Sequence, residues 1–164
     1  MADMNVDIIR GYVPGMIGDI IRLHVDYYCQ NWGLGLNFEA AVAQHITIFM
    51  QRYDDQRDGI WTISQHQRIV ASIIIDGSGE ENDEARLRYF IVGDAIRGKG
   101  MGKRLMQTAI DFCDNRQLKR VYLKTFEGLD AARHLYESFG FALYNETWEK
   151  GVKEQYFERY LPIE

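Results

Sequence analysis

Residues 97 to 104, Arg-Gly-Lys-Gly-Met-Gly-Lys-Arg, place three glycines and four cationic side chains in eight positions, with no acid among them. Glycine lets the backbone approach a ligand closely and take positive φ. A helix start adds free N–H groups and the positive end of a dipole. A turn of this kind between a strand and a helix can cradle an anion, a pyrophosphate above all. It is not a Walker A loop, which needs four residues between its first glycine and Gly-Lys-Ser/Thr. It is not a dinucleotide fingerprint either, because counting from Gly98 and Gly100 the third glycine falls on Lys103. Taken alone, the octet stays open between a phosphate cradle and a basic, flexible surface turn. Upstream, Arg86 and Arg88 alternate with Leu87 and Tyr89, so the two arginines share one strand face. If that face lines a cleft, two guanidinium groups suit bidentate binding of a carboxylate. The alternative is that both pair with acids of loop 80–84 or of neighbouring strands.

The remaining reactive side chains form no metal site. Cys29 and Cys113 fit no metal spacing, and the four histidines make no metal-binding arrangement. No metal is expected. His45 reads as a core or boundary histidine on a helix stripe. The two cysteines read as buried or half-buried thiols and suit a reducing compartment. A formal charge of -5 argues against broad nucleic-acid binding. No apolar run approaches the ~18 residues of a membrane span. The first fifteen residues lack a basic stretch ahead of an apolar core, so no signal peptide is expected. The expected location is the cytoplasm.

The elements that must hold these residues can be read from periodicity. A length of 164 residues predicts one domain, 1–164, able to bury a core without disulfides. Val6, Ile8 and Ile9 suggest a short strand, ended by Pro14-Gly15. Ile17, Ile20, Ile21, His24 and Tyr28 recur at helical steps until "CQNWGLGLN" intervenes; Phe38, Val42, His45, Ile46 and Phe49 form a second stripe, with Asn37 as its expected N-cap. "GIWTIS" and "RIVASIIID" read as a hairpin, "GSGEENDEA" as a solvated loop, and Leu87 to Val92 as a strand leading into the basic turn. Leu105, Met106, Ala109, Ile110 and Cys113 give a helix, Arg120 to Phe126 a strand, and Asp130 a cap for a short helix ended by Gly140. "FALYNETW" and "VKEQYFERYL" close the chain as strands; the last either completes the sheet or pairs across a homodimer. The order β-α-α-β-β-β-α-β-α-β-β predicts a mixed α/β sheet flanked by helices.

Two motifs then join. Arg97, Gly100 and Gly102 satisfy Arg/Gln-x-x-Gly-x-Gly/Ala, five residues beyond Val92. Ala132, Leu135, Tyr136, Gly140 and Phe141 satisfy Ala-x-x-Leu-Tyr-x-x-x-Gly-Phe. Their order, with a helix and a strand between them, resembles the GNAT superfamily of N-acetyltransferases over about residues 85 to 142. The chain looks most like the acetyltransferase half of MarR–acetyltransferase fusions, here expected without the DNA-binding half. The resemblance implies a mostly antiparallel central sheet whose splayed strands form an acyl-CoA cleft, with acetyl-CoA as cosubstrate. It implies that Phe90, Ile91 and Val92 offer backbone groups to the pantetheine and the acetyl carbonyl, an oxyanion-hole role. Arg97, Gly98, Lys99, Gly100, Met101, Gly102 and Lys103 would hold the pyrophosphate through backbone N–H groups. Tyr136 would protonate the departing thiolate.

The chain departs from the family pattern at the base. Family members often place Glu or His where Arg86 and Arg88 stand, and neither arginine can deprotonate an amine near neutral pH. Glu84, Asp83, His24 and Tyr28 remain as candidates, acting directly or through water; a water-mediated route without a named base is preferred. The usual Asn at the start of the helix bearing Tyr136 is also missing, because position 129 is Leu. The loop between the first two helices usually borders the acceptor, so Tyr27, Tyr28 and Trp32 either shape specificity or fill the core. The expected function is acetyl transfer from acetyl-CoA to a primary amine of a small acceptor, one that can carry a carboxylate recognised by Arg86 and Arg88. A non-catalytic acyl-CoA sensor and a protein acetyltransferase are the alternatives.

Overall fold

The computed structural model describes residues 6–162. Its elements are β1 (Ile8–Arg10), α1 (Met16–Trp32), α2 (Leu36–Gln51), β2 (Gly59–Gln65), β3 (Arg68–Asp76), β4 (Glu84–Val92), α3 (Met101–Asn115), β5 (Arg120–Phe126), α4 (Asp130–Ser138), β6 (Ala142–Glu149) and β7 (Val152–Tyr160). This is the predicted order. The expected first strand begins later, at Ile8, and residues before Val6 lie outside the described residues.

The strands form one seven-stranded sheet in the order β1-β2-β3-β4-β5-β7-β6. Every pairing is antiparallel except β4 with β5. Successive strand residues face opposite sides, so a strand covered on both sides reads as an unbroken apolar run. Ile73, Ile74 and Ile75 of β3 show this: the outer two join the core under α3 and α4, the middle one the core under α1 and α2. On α1, Met16, Ile20 and His24 recur every four residues and are the helix's buried positions. Cys113 is buried in the α3 core, where desolvation pushes its thiol up to about 12. No helix among the described residues is long and apolar enough to cross a membrane.

Several boundaries move. Helix α1 continues through Trp32 to Gly33, which takes the left-handed cap conformation at φ 64°. Gly35, not Asn37, caps α2, and Leu129 stands at the cap position of α4, leaving Asp130 as its first residue. Strand β4 starts at Glu84 because Glu84–Arg86 pair with Arg120–Tyr122 of β5. Strand β7 lies between β5 and β6, so it sits inside the sheet, whose edges among the described residues are β1 and β6.

One irregularity matters for the site. In β4 the pairing with β3 slips between Ser72 and Ile74, and Tyr89 takes φ +50°. The Ser72 hydroxyl donates to the Tyr89 carbonyl at 2.6 Å and pins this bulge. Ala85 and Leu87 face the α3 core before the bulge, whereas Phe90 and Val92 do so after it. Tyr89 is thereby turned to the same side as Arg88, contrary to the simple alternation expected.

Candidate active site

Strands β4 and β5 pair only over Glu84–Arg86 and Arg120–Tyr122. Beyond that point they part, and the β4 edge from Leu87 to Val92 has no strand partner on the β5 side among the described residues. Backbone polar groups in such a split need a partner. A cavity of about 480 Å³ fills it, lined by Phe90, Ile91 and Val92, by Arg97, Gly98, Gly100, Met101 and Gly102 of the turn, and by the start of α4. An extended, amide-bearing chain fits the open edge in the manner of a strand.

The turn at the end of this cavity presents a row of donors. Gly98 and Gly100 adopt φ +76° and +77°, which lets the backbone reverse into α3. The first helical bond of α3 is Arg104 N–H to Gly100 carbonyl. The six N–H groups from Gly98 to Lys103 make no backbone hydrogen bond among the described residues. These donors, at the positive end of α3, fit a pyrophosphate. The side chains contribute less. Arg97 donates to the Val92 carbonyl at 3.0 Å, pairs with Asp94 at 2.6 Å and lies over Tyr27. Lys99 and Lys103 are exposed and do not line the cavity, so what they bring to it is backbone. The missing Asn at 129 is replaced by Leu129, which lines the wall without capping α4.

The second motif has a local cause. Helix α4 ends in a Schellman arrangement: Gly140 N–H donates to the Glu137 carbonyl and Phe141 N–H to the Tyr136 carbonyl, with Gly140 at φ +91°. The Phe141 ring then packs edge-on against Tyr136 at 6.0 Å. Together with Phe90 and Phe157 it clamps the Tyr136 ring. The Tyr136 hydroxyl has no hydrogen-bond partner among the described residues, and burial raises its pKa well above the usual phenol range. It therefore stays protonated and available as a donor.

Tyr136, Tyr28 and Phe90 also border a second cavity of about 330 Å³. Its other walls include Arg86 and Arg88 from β4, Lys124 and Thr125 from β5, His24 from α1, and Phe38, Val42 and His45 from α2. Among the described residues no Asp or Glu lines it. The structure separates the two arginines. Arg88 donates to Asp76 at 3.1 Å and to the Tyr89 hydroxyl at 3.1 Å, and Asp76 is also gripped by both terminal nitrogens of Arg52. Burial alone would raise the Asp76 carboxyl, but the Arg52 bonds, with those of Ser78, hold it well below the usual range. Arg88 thus serves the fold, paired with an acid of a neighbouring strand, rather than standing free for a ligand. Arg86 makes no hydrogen bond or ion pair among the described residues. Desolvation, then the like charge of Arg88, lowers its pKa: the fold bears a cation it has not neutralised.

The base candidates from sequence fare differently. Asp83 pairs with Lys119 and Glu84 with Arg120, and neither lines the cavity. Tyr28 is pushed up to about 12 by burial and by Tyr27. His24 donates its Nδ1–H to the Ile20 carbonyl, and burial lowers its pKa to about 4. His45, read as a core or boundary residue, is exposed on the cavity wall. Tyr27, Tyr28, Trp32, Phe38 and Phe126 form a continuous aromatic cluster, so these rings pack on one another, and Tyr28 in addition faces both cavities. Nothing in the sequence singles out Lys124 or Thr125, because long-range pairing brings them in. Among the described residues no cluster of three or more His, Cys, Asp or Glu could hold a metal.

Solved structures that share this fold include several acetyltransferases. The Staphylococcus aureus acetyltransferase of the GNAT family superposes with a TM-score of 0.76, covering 96% of this chain and 99% of that one; at 19% identity this speaks for the fold alone. The spermine/spermidine N(1)-acetyltransferase of Bacillus subtilis is 34% identical over 77 residues, 45% of this chain and 51% of that protein. The N-acetylaspartate synthetase of Danio rerio is 36% identical over 78 residues, 48% of this chain and 28% of that protein. The chain spans about half the length, or less, of the curated relatives it matches. The model of the acetyltransferase (GNAT) family matches residues 19–141, three quarters of the sequence, and the chain belongs to that family.

Proposed function

We propose that the chain, acting as one domain, transfers the acetyl group of acetyl-CoA directly to the primary amine of a small acceptor that also carries a carboxylate. The observation that carries this is the acceptor cavity itself: among the described residues no carboxylate lines it, and Arg86 stands in it unpaired. A polyamine is a polycation and would meet the unpaired Arg86 in a wall without a carboxylate, Arg88 and Lys124 being paired with Asp76 and Glu154 outside it. Of the two relatives named above, one is named for polyamines and the other for N-acetylaspartate; the charge of this cavity favours an acceptor of the second kind.

In this reading the turn from Arg97 to Lys103 holds the pyrophosphate by its free N–H groups, and the open β4 edge at Phe90, Ile91 and Val92 holds the pantetheine. A backbone N–H of that edge faces the thioester oxygen and stabilises the charge that develops there. Arg86 binds the acceptor carboxylate and so orients the amine toward Tyr136 at the junction of the cavities. The amine attacks the carbonyl carbon, a C–N bond forms, and the C–S bond breaks. Tyr136 protonates the thiolate and regains a proton from the attacking nitrogen.

The test is free-thiol release from acetyl-CoA with a panel of amino acids, amino dicarboxylates and polyamines. Turnover concentrated in the carboxylate-bearing amines supports the proposal, and a preference for polyamines refutes it. Stabilisation by acetyl-CoA without thiol release would instead mark a sensor.

A further inference from the structure

The acceptor amine is an ammonium near neutral pH, with an ordinary pKa of about 10, and must lose a proton before it attacks. Positions 86 and 88 are arginines, so the proton acceptor has to come from elsewhere in the cavity. Each element that walls it can be searched in turn. From β4 come Arg86, Arg88 and Tyr89; from β5, Lys124 and Thr125; from α4, Tyr136; from α1, His24 and Tyr28. The cations have no lone pair to offer. Tyr28, Tyr89 and Tyr136 are all raised by burial and keep their protons. His24 is tied to Ile20 and has been lowered to about 4, too weak to take a proton from an ammonium efficiently. No carboxylate is present among the described residues of the wall.

Helix α2 supplies what the others lack. Phe38, Val42 and His45 recur at helical spacing and form its cavity stripe, and Phe49 continues it into the core beneath Arg88. His45 is the one polar side chain of that stripe on the cavity wall. It is exposed, so a proton it receives can pass to solvent, and it makes no hydrogen bond among the described residues.

We propose that His45 is the general base, its imidazole taking the proton from the acceptor ammonium while Arg86 holds the acceptor in the same cavity. The inference rests on the acetyl-transfer reading above. The ammonium gives one proton to His45, which releases it to water. The neutral amine then attacks; the nitrogen's second proton restores Tyr136 after Tyr136 has protonated the thiolate. The amide keeps the third, so the reaction yields amide, CoA thiol and one proton in solution.

The experiment compares wild type with His45→Gln and His45→Ala, using thiol release with whichever acceptor of the panel wild type accepts best. Acetyl-CoA stabilisation of each variant serves as the control for fold and cosubstrate binding. At pH 7 kcat should fall about 100-fold or more in both variants, the range of general-base catalysis. The acceptor KM should stay within about twofold, the variant rate should climb about tenfold per pH unit as the amine itself deprotonates, and added imidazole should restore His45→Ala. A wild-type kcat in His45→Gln, or a loss seen only in KM, overturns the assignment while leaving acetyl transfer standing. A wild type that releases no thiol with any acceptor overturns both.

Discussion

Replacing Arg86 by Met tests the proposed ligand role of this arginine against the structural pairing of Arg88. The guanidinium is half-buried, has no partner among the described residues, and carries a pKa lowered by desolvation and by Arg88. Its charge is therefore a cost in the free protein, and Met retains much of the apolar stem. The melting temperature of Arg86→Met should hold or rise. Bound acceptor tells the opposite story. A charge-assisted bond to a carboxylate contributes about 1.5–3 kcal/mol, and losing it leaves the carboxylate buried and unpaired. At about 1.4 kcal/mol per tenfold, the acceptor KM should rise on the order of 10- to 100-fold, with acetyl-CoA affinity unchanged. Arg88→Met supplies the contrast. It strips one of two cations from Asp76, which is nearly buried, and should lower stability by about 1–3 kcal/mol. For a chain of this size that is several degrees, at roughly 2–4 °C per kcal/mol. Thiol-release kinetics over a range of acceptor concentrations and a thermal melt of each variant give both numbers. If Arg86→Met keeps a wild-type KM, or melts as low as Arg88→Met, the division of labour between the two arginines is wrong.

Three further outcomes follow from the same geometry. Tyr136→Phe should keep its stability, since the hydroxyl it loses has no partner among the described residues, and should still be stabilised by acetyl-CoA, while kcat drops about 100-fold; an unchanged kcat removes Tyr136 from the reaction. Gly100→Ala places a Cβ in open space but at φ +77°, so the cost is conformational: about 1–2 kcal/mol of stability and weaker acetyl-CoA binding by calorimetry, with acceptor KM unaffected. His24 is neutral in the fold, with its pKa lowered from 6.5 to about 4, so the unfolded chain binds its proton first as pH falls. Stability present above pH 6.5 should therefore drain away between pH 6.5 and 4, by about 2 kcal/mol between pH 7.5 and 5. Urea melts of wild type and His24→Gln should differ in that slope, and equal slopes would show that His24 does not titrate as its burial implies.

Legible in the amino-acid sequence is what the backbone requires locally. The glycines at 98, 100 and 140 announce left-handed positions, and each shapes a turn whose hydrogen bonds involve near neighbours. The motif around Tyr136 is of this kind, since Gly140 and Phe141 close the helix and pack the ring within a span of six residues. The residues proposed to select the acceptor have no such local cause. Arg86 and Arg88 look equivalent in sequence, and only Asp76, delivered from β3 with Arg52 from the end of α2, makes one structural and leaves the other free. The bulge at Tyr89 hides equally well, because a tyrosine at φ +50° carries no compositional signal, yet it changes which side chains reach the α1 side of β4. His45 is misread for a related reason. A helical stripe predicts that a face is covered, but where β4 and β5 part, a cavity rather than core covers the end of that face. The fold is therefore legible from local periodicity, and the shape of the turn before α3 from its glycine spacing. The lining of the cavity beside Arg86 is not, because it is assembled from side chains of several elements whose contacts exist only once the sheet has splayed.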